Sequence, residues 1–427
     1  MKIKTITAML LVFGVLFNTT AGFAQIVVKQ KKTLKLDKDK FASRIKYNFD
    51  NQVLGYQAVL LKDGKIVAEV AGSEARRKID GEQKMTVNTP SNIGSTAKFF
   101  AGTALLKLLS SPKGPINPSG RPFESWLDEK VFYDLPSIWK VNMHASWKQV
   151  TFRQLLQHKS GVRALTTKER EDFVAKGYQK RSQLIYFLKP INEADRNVRD
   201  YENFNFTILT YLIPLIANPT LRDTLDEEIK SKKLKVDDLY ITQRLGNEFE
   251  KYMRANSFVK ITPKINPSCD APNEYPKRNI IYAKAYKSML DGGKGFEWSE
   301  REQNGSCYAQ GGWYLSSREL AAFAANFDAT ETLVSNEVKA KMFDGTSKET
   351  ADNRLVWSTF YSHPWITKNL GVSRMPAMDG LQEGYRSVFI KMPEGYFAIA
   401  MVNSSEYPPD QLASALFIAF TDSASME

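Results

Sequence analysis

Histidine is scarce in this 427-residue chain, at three copies, and cysteine is scarcer, at two. Neither H-E-x-x-H nor C-x-x-C occurs, so a zinc site is not expected, and no other metal or cofactor motif takes its place. Beyond the first two dozen residues no segment approaches the ~18 uninterrupted apolar residues of a membrane-spanning helix. No internal repeat or low-complexity tract is present, which argues against solenoids and arrays. Lysine and arginine are scattered, without a basic helix or nucleic-acid motif, so the formal charge of +12 reads as a solvated basic surface and nucleic acid is not an expected partner.

What is present supports a substantial core: 43% hydrophobic residues and 12% aromatics. Lys2 and Lys4 precede an almost wholly apolar run from Ala8 to Phe17. Gly22 and Ala24 then stand as small residues before Gln25, the pattern of a secretory signal peptide over 1–24. The run is too short for a comfortable transmembrane anchor, and Gln25 in place of cysteine argues against a lipid-linked form. An exported protein, periplasmic or extracellular, is therefore expected, with no stable membrane span after cleavage. Loss of Lys2 and Lys4 leaves a charge of +10. In an oxidising compartment Cys269 and Cys307 could pair and stabilise the fold by ~3–4 kcal/mol. Spacing alone does not decide between a bridge and two separate thiols.

Residues 25–44 are lysine-rich and read as a basic lead-in to one domain over 45–427. Phe41, Ile45 and Phe49 step by four, the spacing of an amphipathic helix. "YQAVLLKDGKIVAEVAG" (56–72) is a hairpin pattern turning at Asp63-Gly64. "YRSVFIKMPEGYFAIAMVN" (385–403) repeats it near the other end, and "DQLASALFIAF" (410–420) is an apolar helix. The middle, about 95–300, reads mainly helical, with capping boxes at Thr151/Gln154 and Ser316/Glu319; residues 221–280 resist assignment. The pattern predicts an α+β fold: one antiparallel sheet lobe made by both chain ends, with a mainly helical lobe inserted between them.

Five S-x-x-K tetrads occur, and "SNIGSTAKFF" (91–100) has the most telling context. Ser95 follows a turn-rich lead-in and precedes a stretch apolar nearly all round, which predicts a buried helix with Ser95 in its first turn. There, backbone N–H groups and the dipole favour developing negative charge. Lys98 lies one turn on, on the same face, where lost solvation lowers its pKa and suits it to handling the serine proton. "DYENFNFTILTYLI" (200–213) holds the only Y-x-N, Tyr201 and Asn203. A phenol near an ammonium can relay a proton, and an asparagine offers both donor and acceptor. Either motif alone is as readily a helix start as a site.

Taken in order, Ser95-Thr-Ala-Lys98, "TFRQLLQHKSGV" (151–162), Tyr201-Glu-Asn203 and "GGWYLSSRELAAF" (311–323) resemble the serine β-lactamase-related family. That family includes class C β-lactamases, D-Ala-D-Ala carboxypeptidases and related esterases on a penicillin-binding fold. "AMDGLQEGYRSVFIKMPEG" (377–395) is similar to the strand bearing its third motif. The resemblance spans roughly 45–420 and implies a β-lactamase/transpeptidase-like fold. It implies Ser95 as acylated nucleophile, Lys98 as its partner and Tyr201 as general base and acid. It further implies Asn203 as a ligand of substrate and lysine, with an oxyanion hole from the N–H groups of Ser95 and of Leu381, after Gly380. His158 reads as a core or capping residue, and the absence of G-x-S-x-G removes the α/β-hydrolase alternative.

One position departs. Where the family carries Lys or His before x-Gly, this chain has Met378, and a thioether supplies no charge. Asp379 should point to the opposite face of the strand; Arg374 and Arg386 are candidate replacement cations. The expectation is an exported serine hydrolase of esterase or peptidase type, acting on a small ester, amide or peptide, with cell-wall fragments as candidate partners. The rival is a silent envelope-binding or scaffold protein that keeps the fold.

Overall fold

The computed structural model describes residues 33–111, 121–179, 182–235, 239–344 and 353–427. The expected leader over 1–24 lies outside them. The chain enters through β1 (Leu34–Leu36) and α1 (Lys38–Phe49). Asp37 caps α1, its carboxylate accepting from the Asp39 and Lys40 N–H groups at 3.1 and 2.9 Å. Phe41, Ile45 and Phe49 form its buried stripe. The ordered unit thus starts before residue 45, and the stretch expected as a loose lead-in is strand and helix from Leu34 onward.

Both hairpins form where the turn residues place them. β2 (Gly55–Lys62) and β3 (Lys65–Arg76) flank Asp63-Gly64, and β3 is edged by β4 (Gln83–Lys84). Further along come β5 (Ser91–Asn92), α2 (Lys98–Ser110), α3 (Leu209–Ala217) and α4 (Leu239–Met253). β6 (Tyr314–Leu315), α5 (Ser317–Ala329) and β7 (Thr359–Tyr361) follow. The chain closes with β8 (Met375–Gln382), β9 (Tyr385–Lys391), β10 (Tyr396–Val402), α6 (Pro409–Ser423) and β11 (Ala424–Met426).

The main sheet runs β4-β3-β2-β10-β9-β8-β7, antiparallel at each step, so β2 from one end pairs with β10 from the other, Val59 opposite Ile399. Period-two alternation sorts its side chains into two cores. Tyr56, Ala58, Leu60, Val388 and Ile390 meet α1 and α6 on what we call the far face. Val59, Leu61, Phe389 and Ile399 point to the near face and join the core of the helical lobe. α2 is buried without a break from Lys98 to Leu106, and α3 from Leu209 to Ile216. The stretch that resisted assignment contains α4 and a helix at Pro219–Lys232. Among the described residues no single helix is long and apolar enough to cross a membrane.

Cys269 and Cys307, both fully buried, form a disulfide with Cα atoms 5.6 Å apart. Closing a 38-residue separation stabilises the fold by about 4 kcal/mol on the chain-entropy account.

Candidate active site

The site begins with a bend that the sequence forces. Asn92, paired with Tyr314 across β5 and β6, accepts the Gly94 N–H on its side-chain oxygen at 2.8 Å. Gly94 takes φ +50°, and a single 3₁₀ turn, Gly94–Ala97, leads into α2. The turn presents Ser95 at the helix tip. A β-carbon on Gly94 would stand 2.6 Å from the Leu381 nitrogen. One on Gly380 would stand 2.0 Å from the Ile93 carbonyl oxygen. These two glycines let β8 lie directly against the serine turn. A buried hydroxyl chain fastens the seam: Thr96 Oγ1 donates to Ser387 Oγ, which donates to the Ile93 carbonyl, each at 2.8 Å.

β7 pairs only with Met375–Ala377, so β8 has an open edge beyond it. The two-residue turn after Gln382 makes Gln382/Tyr385 the closing pair of the β8–β9 hairpin. Hydrogen-bonded and non-bonded pairs alternate along such a ladder, so the next pair, Leu381/Arg386, directs the Leu381 N–H away from β9 toward that edge.

Lys98 is fully buried (0% exposed). Its ammonium donates to Ser95 Oγ at 2.9 Å, Asn203 Oδ1 at 2.8 Å and the Gln310 carbonyl at 2.7 Å, which uses all three donors. It also sits 5.1 Å from the Tyr201 ring centre. Burial is the largest influence on this lysine and lowers its pKa, while Tyr201, Glu202 and Glu300 pull the other way. The Tyr201 hydroxyl donates to Ser95 Oγ at 2.9 Å, and Tyr201 remains 44% exposed. One alcohol thus receives an amine and a phenol, and the phenol faces solvent. This geometry can move the serine proton to the tyrosine oxygen and return it to a leaving group.

His158 is buried, as expected of a core residue. Its ring stacks beneath Tyr201 with centroids 4.5 Å apart and leans on Phe206 at 5.1 Å. Burial, helped by Arg199 and Lys98, holds its pKa well below the usual value, so it supports the phenol as a neutral ring. Arg199 donates to the carbonyls of Gln157, Trp357 and Ser358, tying the Tyr201 loop to the segment that enters β7.

The structure brings together Ser95, Lys98, Tyr201, Asn203, Gly380 and Leu381. It adds Gln310, which sequence reasoning did not find. Gln310 acts on Lys98 through its backbone carbonyl, a contact any residue type could make, so no side-chain signal marks it. Met378 lies fully buried in the near-face core and offers nothing to a ligand. Asp379 does point to the far face, where it accepts from the Tyr361 hydroxyl at 3.0 Å. Arg386 is not a replacement cation for the site, because its guanidinium donates to the Gln382 and Tyr385 carbonyls.

Burial raises the Asp379 pKa to about 6, with Asp410 adding repulsion and the Tyr361 hydroxyl opposing. A carboxyl raised above its ordinary 3.8 contributes stability that is complete below pH ~4 and lost as pH rises through about 6. Asp379→Asn is expected to abolish a loss of roughly 2–3 kcal/mol across that window. Urea unfolding of both proteins at pH 4 and 7 checks it; parallel pH dependence in the two would remove this account of Asp379.

The Beta-lactamase family model matches residues 28–422. FmtA from Staphylococcus aureus superposes with a TM-score of 0.59 at 15% identity, covering 92% of this chain and 93% of that one. A class C β-lactamase from Rhodobacter sphaeroides gives 0.57 at 14% identity, covering 90% and 99%. A D-stereospecific amidohydrolase from a Streptomyces species gives 0.56 at 16% identity, covering 90% and 98%. No curated protein sequence matches. Fold and family are those of the β-lactamase-type serine hydrolases. The chain belongs to the Beta-lactamase family.

Proposed function

We propose that the protein is an exported serine hydrolase that cleaves an ester or amide through an acyl-enzyme on Ser95. The observation that carries this reading is the convergence of Lys98 Nζ and the Tyr201 hydroxyl on Ser95 Oγ, each at 2.9 Å. The Ser95 oxygen attacks the substrate carbonyl while its proton passes to the Tyr201 oxygen, which stays a neutral phenol because its own proton is handed on to the leaving group. Charge develops on the carbonyl oxygen against the N–H groups of Ser95 and Leu381; one such donor is worth about 3–4 kcal/mol of barrier. Collapse breaks the bond to the leaving group, which takes the proton from Tyr201. Water then attacks the acyl carbon by the same route in reverse roles, releasing the acid and restoring Ser95.

Esterase or peptidase activity is favoured over β-lactamase activity because Met378 leaves no cation where the family usually has one. The amidohydrolase among the structural neighbours is compatible with amide substrates. The preassembled cluster argues against a silent binding protein, which would have no need of a buried, fully partnered lysine. The leader sequence and the buried disulfide support export.

Covalent labelling tests the reading. A fluorophosphonate probe is expected to label the wild-type protein and to leave Ser95→Ala unlabelled, with an intact-mass shift located on Ser95. Equal labelling of both proteins would defeat it.

A further inference from the structure

With Met378 withdrawn into the core, two cations gather instead on β7, the edge strand beside β8. Phe360, the middle residue of β7, lies opposite Pro376 of β8. Its neighbour Tyr361 packs into the far-face core, so alternation turns Phe360 to the near face, the side of the nucleophile helix. Phe360 belongs to neither apolar core among the described residues. Instead, Arg354 and Arg374 place their guanidinium carbons 5.2 and 5.1 Å from its ring centre. Stacking on an aromatic ring holds a guanidinium in position while leaving its N–H edge available.

The arginines around the site differ in how they are used. Arg199 and Arg386 spend donors on backbone carbonyls. Arg374 has no hydrogen-bond or ion-pair partner among the described residues and stacks on the Phe360 ring. The Arg354 charge also helps, as a small contribution, to hold the His158 ring below its usual pKa. Arg354 is engaged in a further interaction of its own, so the donors left for a ligand are those of Arg374.

We infer that Arg374, held on Phe360 beside Arg354, receives a carboxylate of the substrate. This rests on the acyl-transfer reading and names the substrate class for it. Gly380 stands four residue steps beyond Pro376, which is about 13 Å along an extended strand. The recognised carboxylate therefore lies well away from the reacting carbonyl. The fitting substrate is an extended ester or amide with a remote acid group, such as a dicarboxylic acyl chain or an acidic peptide. A penicillin fits poorly, because its carboxylate adjoins the scissile nitrogen.

The test compares mono-p-nitrophenyl sebacate with p-nitrophenyl decanoate, esters of equal chain length that differ in the terminal carboxylate. Arg374→Gln is expected to raise KM for the sebacate about tenfold with kcat retained, a loss of the size seen for a charge-assisted contact. KM for the decanoate should not change, and Arg374→Lys should fall between. Equal effects on both esters, or none on either, overturn the inference. Ser95→Ala in parallel reports on the hydrolase reading separately. If the wild type turns over neither ester, calorimetric binding of sebacic acid monoamide to wild type and Arg374→Gln decides instead. Weaker binding by the variant supports the anion site, and equal binding removes it.

Discussion

Tyr201→Phe is expected to lower kcat for p-nitrophenyl esters by about 10²–10⁴-fold, the range general acid–base groups contribute. The substitution removes one oxygen from a half-exposed ring that rests on His158, so folding should be untouched. Lys98→Met should be at least as damaging to turnover, because it strips the serine, Asn203 and the Gln310 carbonyl of a shared donor. Groups that act as one relay lose their effect together, so the double variant should be scarcely slower than the worse single. Pre-steady-state acylation rates, with circular dichroism to confirm folding, measure this. A Tyr201→Phe enzyme that acylates at nearly the wild-type rate would remove the phenol from the mechanism and leave Lys98 alone with the serine.

The second large effect is expected at Gly380. An alanine there drives its β-carbon to 2.0 Å from the Ile93 carbonyl oxygen and 2.1 Å from Ser387 Oγ. The first contact is backbone, so it cannot be relieved by a rotamer change. Overpacking of this kind costs about 1–3 kcal/mol and sometimes more. The functional cost is larger, because the movement separates β8 from the serine turn. A displacement of ~1 Å at a reacting group is worth about 10²-fold. Gly380→Ala should therefore lower kcat/KM by at least about two orders of magnitude together with a depressed Tm. Gly293→Ala serves as control, since its β-carbon would meet nothing closer than 3.5 Å. An active, stable Gly380→Ala enzyme would show that the glycine seam is not what sets the oxyanion geometry.

These expectations also mark what the amino-acid order reveals. The hairpins were legible because Asp63-Gly64 and "MPEG" impose turns between β-prone runs. Ser95 and Lys98 were legible because the apolar stretch behind them can only be a buried helix. Tyr201 and Asn203 needed the family resemblance, since Y-x-N before a helix is common and the contact with Ser95 spans 106 positions. Gln310 stayed hidden because a carbonyl carries no residue signature. The pairing of β1 with β11 was also hidden: strands of three residues are too short to show a period, and Leu34 pairs with Met426 from the opposite end of the sequence. Met378 was singled out from its place in the motif, and only the packing reveals that its side chain lies in the core.

That short terminal pairing has a practical outcome. Thr33 and Glu427 exchange backbone hydrogen bonds, and Leu34 and Leu36 rest on the far-face core. Both ends of the folded domain therefore leave from one place, behind the sheet, while Ser95 opens on the front. A tether, affinity handle or surface attachment at either end would hold the molecule by its back and keep its working side turned toward whatever it meets.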